Sequence, residues 1–203
     1  LEGSKDFMKK LCKDFNIPTA EYESFDNLLK AQDFIKKSKH PLVIKSDGLA
    51  AGKGVTISNN VKKSIKCAKE ILEGKFKTSS KVVIEEFLEG EEASYFVITD
   101  GENYLPIGTA QDHKRIGEND TGLNTGGMGA YSPSLLITND MQEKINKKII
   151  EPTIKSLNTI GCSFVGILYA GLMIKNNEPK LIEYNIRFGD PECQVIMMRL
   201  END

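Results

Sequence analysis

Lys45-Ser46-Asp47-Gly48-Leu49-Ala50-Ala51-Gly52-Lys53-Gly54 is the stretch on which the fold turns. Three glycines and two lysines crowd one tight turn, where bare backbone N–H groups and ammonium charges can cradle phosphates. A P-loop, G-x-x-x-x-G-K-[ST] running into a helix, is the obvious comparison, and it fails. Here the glycine spacing is one residue short, Gly54 stands where the magnesium-binding hydroxyl belongs, and Val55–Ile57 alternates like a strand. The reading is a strand-loop-strand flap, against the plainer alternative of a hairpin loop.

Outward from the flap, hydrophobic periodicity and stop signals order the rest. Ser4 caps a helix carrying Phe7, Met8, Leu11 and Phe15, which Asn16 and Pro18 end. A second helix runs from Asp26 to Lys37, followed by a strand at Pro41–Ile44. After the flap come a helix over Val61–Leu72 and a strand over Lys81–Glu86, a compact α+β unit ending near Gly90. From Glu91 the pattern changes to longer strands, Ala93–Thr99 and Tyr104–Thr109, paired across Asp100-Gly101. Gln111–Pro133 is polar with five glycines, an expected loop of about twenty residues, a length kept mainly for function. Thr138 caps an amphipathic helix through Met141, Ile145, Ile149 and Ile154, and Val165–Ile174 pairs with Lys180–Asn185 across Asn176-Asn177. Arg199–Asp203 is expected to continue a helix begun near Pro191.

The 203 residues carry 27 basic and 29 acidic side chains, with 39% hydrophobic residues. That balance excludes a disordered or collagenous chain, and a net charge of −2 offers no global field to nucleic acid or an anionic membrane. The longest apolar run, Gly161–Ile174, is well short of the roughly 20 residues that cross a bilayer. Cys12, Cys67, Cys162 and Cys193 are scattered without a C-x-x-C pair, against a disulfide framework or structural zinc, so a reducing cytoplasm fits best. A first residue that is not Met and a last helix that runs to the end mark the chain as an expected piece of a longer protein.

Four further groups carry candidate chemistry. Glu85-Glu86-Phe87-Leu88-Glu89-Gly90-Glu91-Glu92 joins two strands; it suits either a solvated edge or a nucleotide, whose base wants apolar walls and whose ribose wants a carboxylate. Glu183 and Asn185, two apart on a strand, project to one face while Ile182, Tyr184 and Ile186 are expected on the other. Two hard oxygens on one face suit Mg²⁺, and Arg187 in the following turn adds a guanidinium for phosphoryl oxygens. His113, alone in the long loop with no Ser or Cys motif to serve, is read as structural.

Taken together, D-G-L-A-A-G-K-G (Asp47–Gly54), D-T-G-x-N-T-G-G-M-G-A-Y-S-P (Asp120–Pro133) and N-x-R-F-G-D-P-E (Asn185–Glu192) resemble the ATP-grasp region of the phosphoribosylamine–glycine ligase family over essentially the whole chain. The resemblance implies an α+β ATP-grasp fold, a small lid subdomain plus a larger, mainly antiparallel sheet with helices. Residues 1–22 would be an opening helix and linker from a missing amino-terminal domain, 23–90 the lid, and 91–203 the main subdomain, cut before a missing carboxy-terminal domain. It further implies ATP-dependent ligation of glycine to 5-phosphoribosylamine through a glycyl phosphate in purine biosynthesis. Lys5 and Lys45 would contact ATP phosphates, with Gly48, Gly52, Lys53 and Gly54 in the flap. Glu85, Phe87 and Leu88 would hold adenine, and Glu92 the ribose. Glu183 and Asn185 would bind Mg²⁺ or Mn²⁺, Arg187 would neutralise the transferring phosphoryl group, and Asp112 with Asp190 would place the glycine amine. The isolated piece is expected to be inactive. Another ATP-grasp carboxylate–amine ligase or carboxylase, differing in Gln111–Pro133, and a non-catalytic nucleotide-binding module are the alternatives.

Overall fold

The computed structural model describes residues 1–50, 54–76, 80–118 and 121–201. They divide into two compact units, residues 1–10 with 20–88, and residues 11–19 with 89–203. The first division falls inside the opening helix, after Lys10. The reason lies in residues 18 and 19: Leu181 N–H donates to Pro18 O at 2.8 Å and Thr19 Oγ1 donates to Leu181 O at 2.6 Å, tying this stretch to a strand of the second unit.

Helix α1 (Lys5–Asp14) begins where Ser4 Oγ accepts the Phe7 N–H at 3.1 Å, a side-chain cap on an otherwise orphan donor. It ends at Asn16, whose φ of 56° is the left-handed turn that Asn tolerates. The first unit continues with β1 (Tyr22–Phe25), α2 (Leu28–Lys37), β2 (Leu42–Ser46), β3 (Val55–Ser58), α3 (Val61–Leu72) and β4 (Val82–Glu86). The strands form one antiparallel sheet in the order β1-β4-β2-β3. Strand β1, short and half-exposed, has no apolar alternation and is not foreseen by the sequence reading. Leu42, Ile44, Val82 and Ile84 face Ala31 and Ile35 of α2 and Ala68 and Ile71 of α3. With period-2 alternation this sends Val43, Lys45, Val83 and Glu85 to the opposite face. The helices therefore leave one sheet face for other work.

The second unit holds β5 (Glu91–Thr99), β6 (Tyr104–Asp112), β7 (Arg115–Gly117), β8 (Thr121–Asn124), β9 (Ala130–Tyr131), α4 (Asn139–Ile145), α5 (Glu151–Thr159), β10 (Gly166–Lys175), β11 (Glu178–Asn185) and α6 (Glu192–Met197). Its main sheet is antiparallel in the order β11-β10-β5-β6-β9. The expected loop over 111–133 instead carries short strands: β6 runs to Asp112, β7 and β8 make a separate ribbon, and β9 returns to pair with Gln111 and Asp112. Its polar residues hide this, and Ile116 of β7 is exposed instead of marking a buried face. The long helix after Thr138 is interrupted by a π turn over Asn146–Ile150. Pro152 explains the widening, since it cannot donate to the carbonyl four residues back and its ring crowds that oxygen. Helix α6 stops at Met197 with Met198 at its C-cap, so the expected continuation through Arg199 does not occur. Residues 202 and 203 lie outside the described residues. Among the described residues no helix is long and apolar enough to cross a membrane, and none of the four cysteines is in a disulfide.

Candidate functional site

In the first unit the flap is a strand-loop-strand, with β2 and β3 paired antiparallel and Ser46 N–H donating to Gly54 O at 2.8 Å. Gly54 has no room for a side chain: an added Cβ would stand 2.6 Å from Ala50 Cβ. Gly52 and Lys53 lie outside the described residues. Lys5 Nζ donates to Gly48 O at 2.9 Å, which brings the two expected phosphate contacts at Lys5 and Gly48 together. Gly48 has φ of 85°, a conformation for which only Gly pays no steric cost.

On the sheet face left free by α2 and α3, Glu85 and Lys45 are diagonal neighbours, since Val43 pairs with Glu85 and Lys45 with Val83. Lys45 Nζ lies 3.0 Å from Glu85 Oε1, and Lys9 Nζ of α1 lies 3.1 Å from Glu85 Oε2. All three side chains are buried. Lys9 was not foreseen; its only signal is a place on the flank of the buried arc formed by Met8, Leu11 and Cys12. Phe87 and Leu88 follow β4 half-buried.

In the second unit the register of β10 and β11 shifts at one point. Gly171 pairs with Glu183 and Leu172 with Leu181, which leaves Ile182 as an extra residue. The bulge reverses the alternation: Leu181 and Tyr184, three apart, are both buried, and Tyr184 exchanges a 2.7 Å hydrogen bond with Thr153 of α5. Ile182 is therefore not a partner of Tyr184 on one face, as plain alternation expects. Glu183 and Asn185 do share a face, opposite Tyr184. Through the pairs Asn185–Tyr169–Phe96 and Glu183–Gly171–Ser94, that face is continuous across three strands. Arg187 Nη2 reaches Asn185 Oδ1 at 3.4 Å, and its Nη1 donates to Phe188 O at 3.0 Å.

The donor set is consistent with magnesium. Among the described residues no group of three or more His, Cys, Asp or Glu could hold a metal ion. Glu183 and Asn185 supply two hard oxygens, and Mg²⁺ commonly completes such a pair with phosphate oxygens and water.

Glu92, Ser94, Asp112, Lys114, Tyr169 and Glu183 line a narrow cleft on this face. Lys114 Nζ binds Glu92 at 2.8 Å and lies 4.0 Å from Asp112. Burial pushes the Lys114 ammonium down, but Glu92 and Asp112 together outweigh it and raise the group. Burial raises the Asp112 carboxyl, with Glu192 and Glu92 adding to the rise and Lys114 opposing it. Tyr169 donates to Glu192 Oε1 at 2.8 Å, and Ser94 Oγ sits 2.9 Å from the Tyr169 hydroxyl. Burial raises Tyr169, against the pull of Lys114. Glu192 is folded so tightly over Gly189 that a Cβ there would meet its carboxylate at 2.3 Å. Asp190 accepts from Gln194 at 2.8 Å, so Asp112 and Asp190 are held by different partners. His113 is exposed, its ring 6.0 Å from that of Tyr131.

A helix-backed antiparallel sheet with a glycine flap in one unit, and a larger sheet carrying an acid–amide pair beside an arginine in the other, define the ATP-grasp class. The family model for the phosphoribosylglycinamide synthetase ATP-grasp (A) domain matches residues 3–193, and the chain belongs to that family. It is 55% identical over its whole length to the chloroplastic phosphoribosylamine–glycine ligase of Arabidopsis thaliana, covering 39% of that protein. It is 54% identical to the phosphoribosylamine–glycine ligase of Brucella melitensis, covering 48% of it. The crystal structure of phosphoribosylamine–glycine ligase from Thermotoga maritima superposes with a TM-score of 0.91 at 37% identity, over 97% of this chain and 50% of that one. The chain spans about half or less of the length of these relatives.

Proposed function

We propose that this chain is the nucleotide- and metal-handling part of an enzyme that joins glycine to 5-phosphoribosylamine at the expense of ATP, in purine biosynthesis. A glycine carboxylate oxygen would attack the γ-phosphorus, ADP would leave, and glycyl phosphate would form. The amine would then attack the carbonyl carbon and lose a proton as phosphate departs. Such chemistry asks for positioning and charge neutralisation more than for a protein nucleophile.

Lys5, Lys45, Gly48 and Gly54 would serve the phosphates, with Gly52 and Lys53 completing the flap. Glu85, Phe87 and Leu88 would take the base, and Glu92 the ribose after exchanging its contact with Lys114. Glu183 and Asn185 would hold Mg²⁺ or Mn²⁺, which supplies charge to the phosphoryl oxygens when bound. Arg187, already touching Asn185, would oppose the charge that grows on the transferred group. Asp112 and Asp190 would attract the glycine amine from separate positions. The observation that carries the reading is the pair Glu183 and Asn185 on one face of β11, opposite the buried Tyr184, with Arg187 at Asn185. The rest of the parent protein would supply the remaining substrate contacts.

Glycine labelled with ¹⁸O in its carboxylate tests the reaction in the full-length protein. Phosphate release should require ATP, magnesium, glycine and phosphoribosylamine together, and one label should appear in the phosphate. Release driven by bicarbonate or another carboxylate in place of glycine, or unlabelled phosphate, would refute it.

A further inference from the structure

Lys9 places a charged group fully inside the first unit, where it is 0% exposed. Its ammonium donates to Ala20 O at 3.2 Å, lies 3.1 Å from Glu85 Oε2, and stands 5.8 Å from the centre of the Tyr22 ring. On the other side of the same carboxylate, Glu85 Oε1 is 3.0 Å from Lys45 Nζ and yet accepts no hydrogen bond. Two ammonium groups thus bracket one carboxylate in a buried setting. Buried carboxylate oxygens are nearly always hydrogen-bonded, and one that is not calls for an explanation. Oε1 has acceptor capacity to spare, while Oε2 is pinned.

We propose that Lys9 is a positioning residue for nucleotide choice: by fixing Glu85 through Oε2, it presents Oε1 to a hydrogen-bond donor on the bound base, the exocyclic amine of an adenine. The proposal rests on Glu85 belonging to the base site, as above. A 6-oxo purine would bring a carbonyl against Oε1, acceptor to acceptor, and would be rejected, because an unmatched buried polar pair is penalised far more than a missing methylene. Without Lys9, the carboxylate is free to turn both oxygens to Lys45, which already stands 3.0 Å from Oε1. The base then meets no oriented acceptor.

The test measures Mg-ATP and Mg-ITP affinities of the full-length protein by calorimetry, for the wild type, Lys9→Met, Glu85→Gln and the double variant, with thermal unfolding to verify folding. Should Lys9→Met not fold, Lys9→Gln keeps a donor for Ala20 and serves in its place. The wild type should prefer ATP over ITP at least tenfold. Lys9→Met should weaken ATP about tenfold while barely changing ITP, and in the Glu85→Gln background it should add less than twofold. An unchanged ATP-to-ITP ratio in folded Lys9→Met, or full additivity with Glu85→Gln, overturns the role of Lys9. Wild-type protein that does not bind Mg-ATP overturns the nucleotide reading itself.

Discussion

Gly171 stands directly across from Glu183 in the β10–β11 pair, and the residue inserted just before Glu183, Ile182, turns Glu183 away from the side that buries Leu181. Because Ile182 is taken up as a bulge and not as a step of plain alternation, the candidate metal ligands lie on the face opposite Leu181 and Tyr184.

Deleting Ile182 should make Leu181 and Glu183 consecutive residues of a regular ladder against Leu172 and Gly171, and so leave Glu183 and Asn185 on their present face. Urea unfolding of the full-length protein should show a midpoint changed by less than about 1 M, and nucleotide affinity should still respond to magnesium. Loss of the magnesium response in a folded deletion variant would refute this account of the bulge.

Arg187→Lys keeps the charge but loses the planar fork that can hold two oxygens at once. The turnover rate should fall about tenfold or more, with ATP affinity changing little, as for a contact that strengthens in the transition state. Near-normal turnover in steady-state assays would reduce Arg187 to its bonds with Asn185 and Phe188.

Tyr169 and Glu192 should be energetically coupled. Tyr169→Phe removes the 2.8 Å bond to Glu192 Oε1 and leaves the 3.4 Å contact from Ser94, a loss of about 1 to 2 kcal/mol for a buried hydrogen bond. Once Glu192 is replaced by Gln, the same Tyr169 substitution should cost less, giving a coupling of roughly 1 kcal/mol in a double-mutant cycle. Strict additivity would show that the two do not share this bond.

Asp6 makes stability depend on pH. Partial burial would raise its carboxyl, but the 2.6 Å hydrogen bond from Lys81, with its charge, outweighs this and holds it below the ordinary carboxylate range. A depressed carboxyl contributes stability that is present above its unfolded-state value and lost as pH falls through the folded one. Asp6→Asn should thus cost a few tenths to about 1 kcal/mol near pH 7, since Lys81 is half-exposed, and nothing at low acid pH. Thermal melts of both forms from pH 7 down to pH 3 should converge; a constant gap would contradict the assignment.

Local pattern determined much of this protein. The helix over Val61–Leu72 is α3 residue for residue, and the Asn176-Asn177 turn has the two positive φ angles, 52° and 60°, that Asn tolerates. The flap was legible because the glycine spacing and the strand after it are chain-local features. Glu183 and Asn185 were legible as a pair because two residues apart on a strand means one face, whatever lies across it.

What the chain could not announce depends on what packs against it. Strand β1 exists because β4 offers it hydrogen bonds, not because Tyr22–Phe25 alternates. The strands β7, β8 and β9 draw on pairing partners too, in a segment whose polarity reads as loop. Which side of the sheet Glu183 faces was decided by a bulge that has no sequence signature. Lys9 looks like an ordinary surface lysine on α1; only the tertiary arrangement, by setting it against Ala20 and Glu85 in a buried space, makes its charge matter, because the strength of an electrostatic contact is set by the solvent excluded around it.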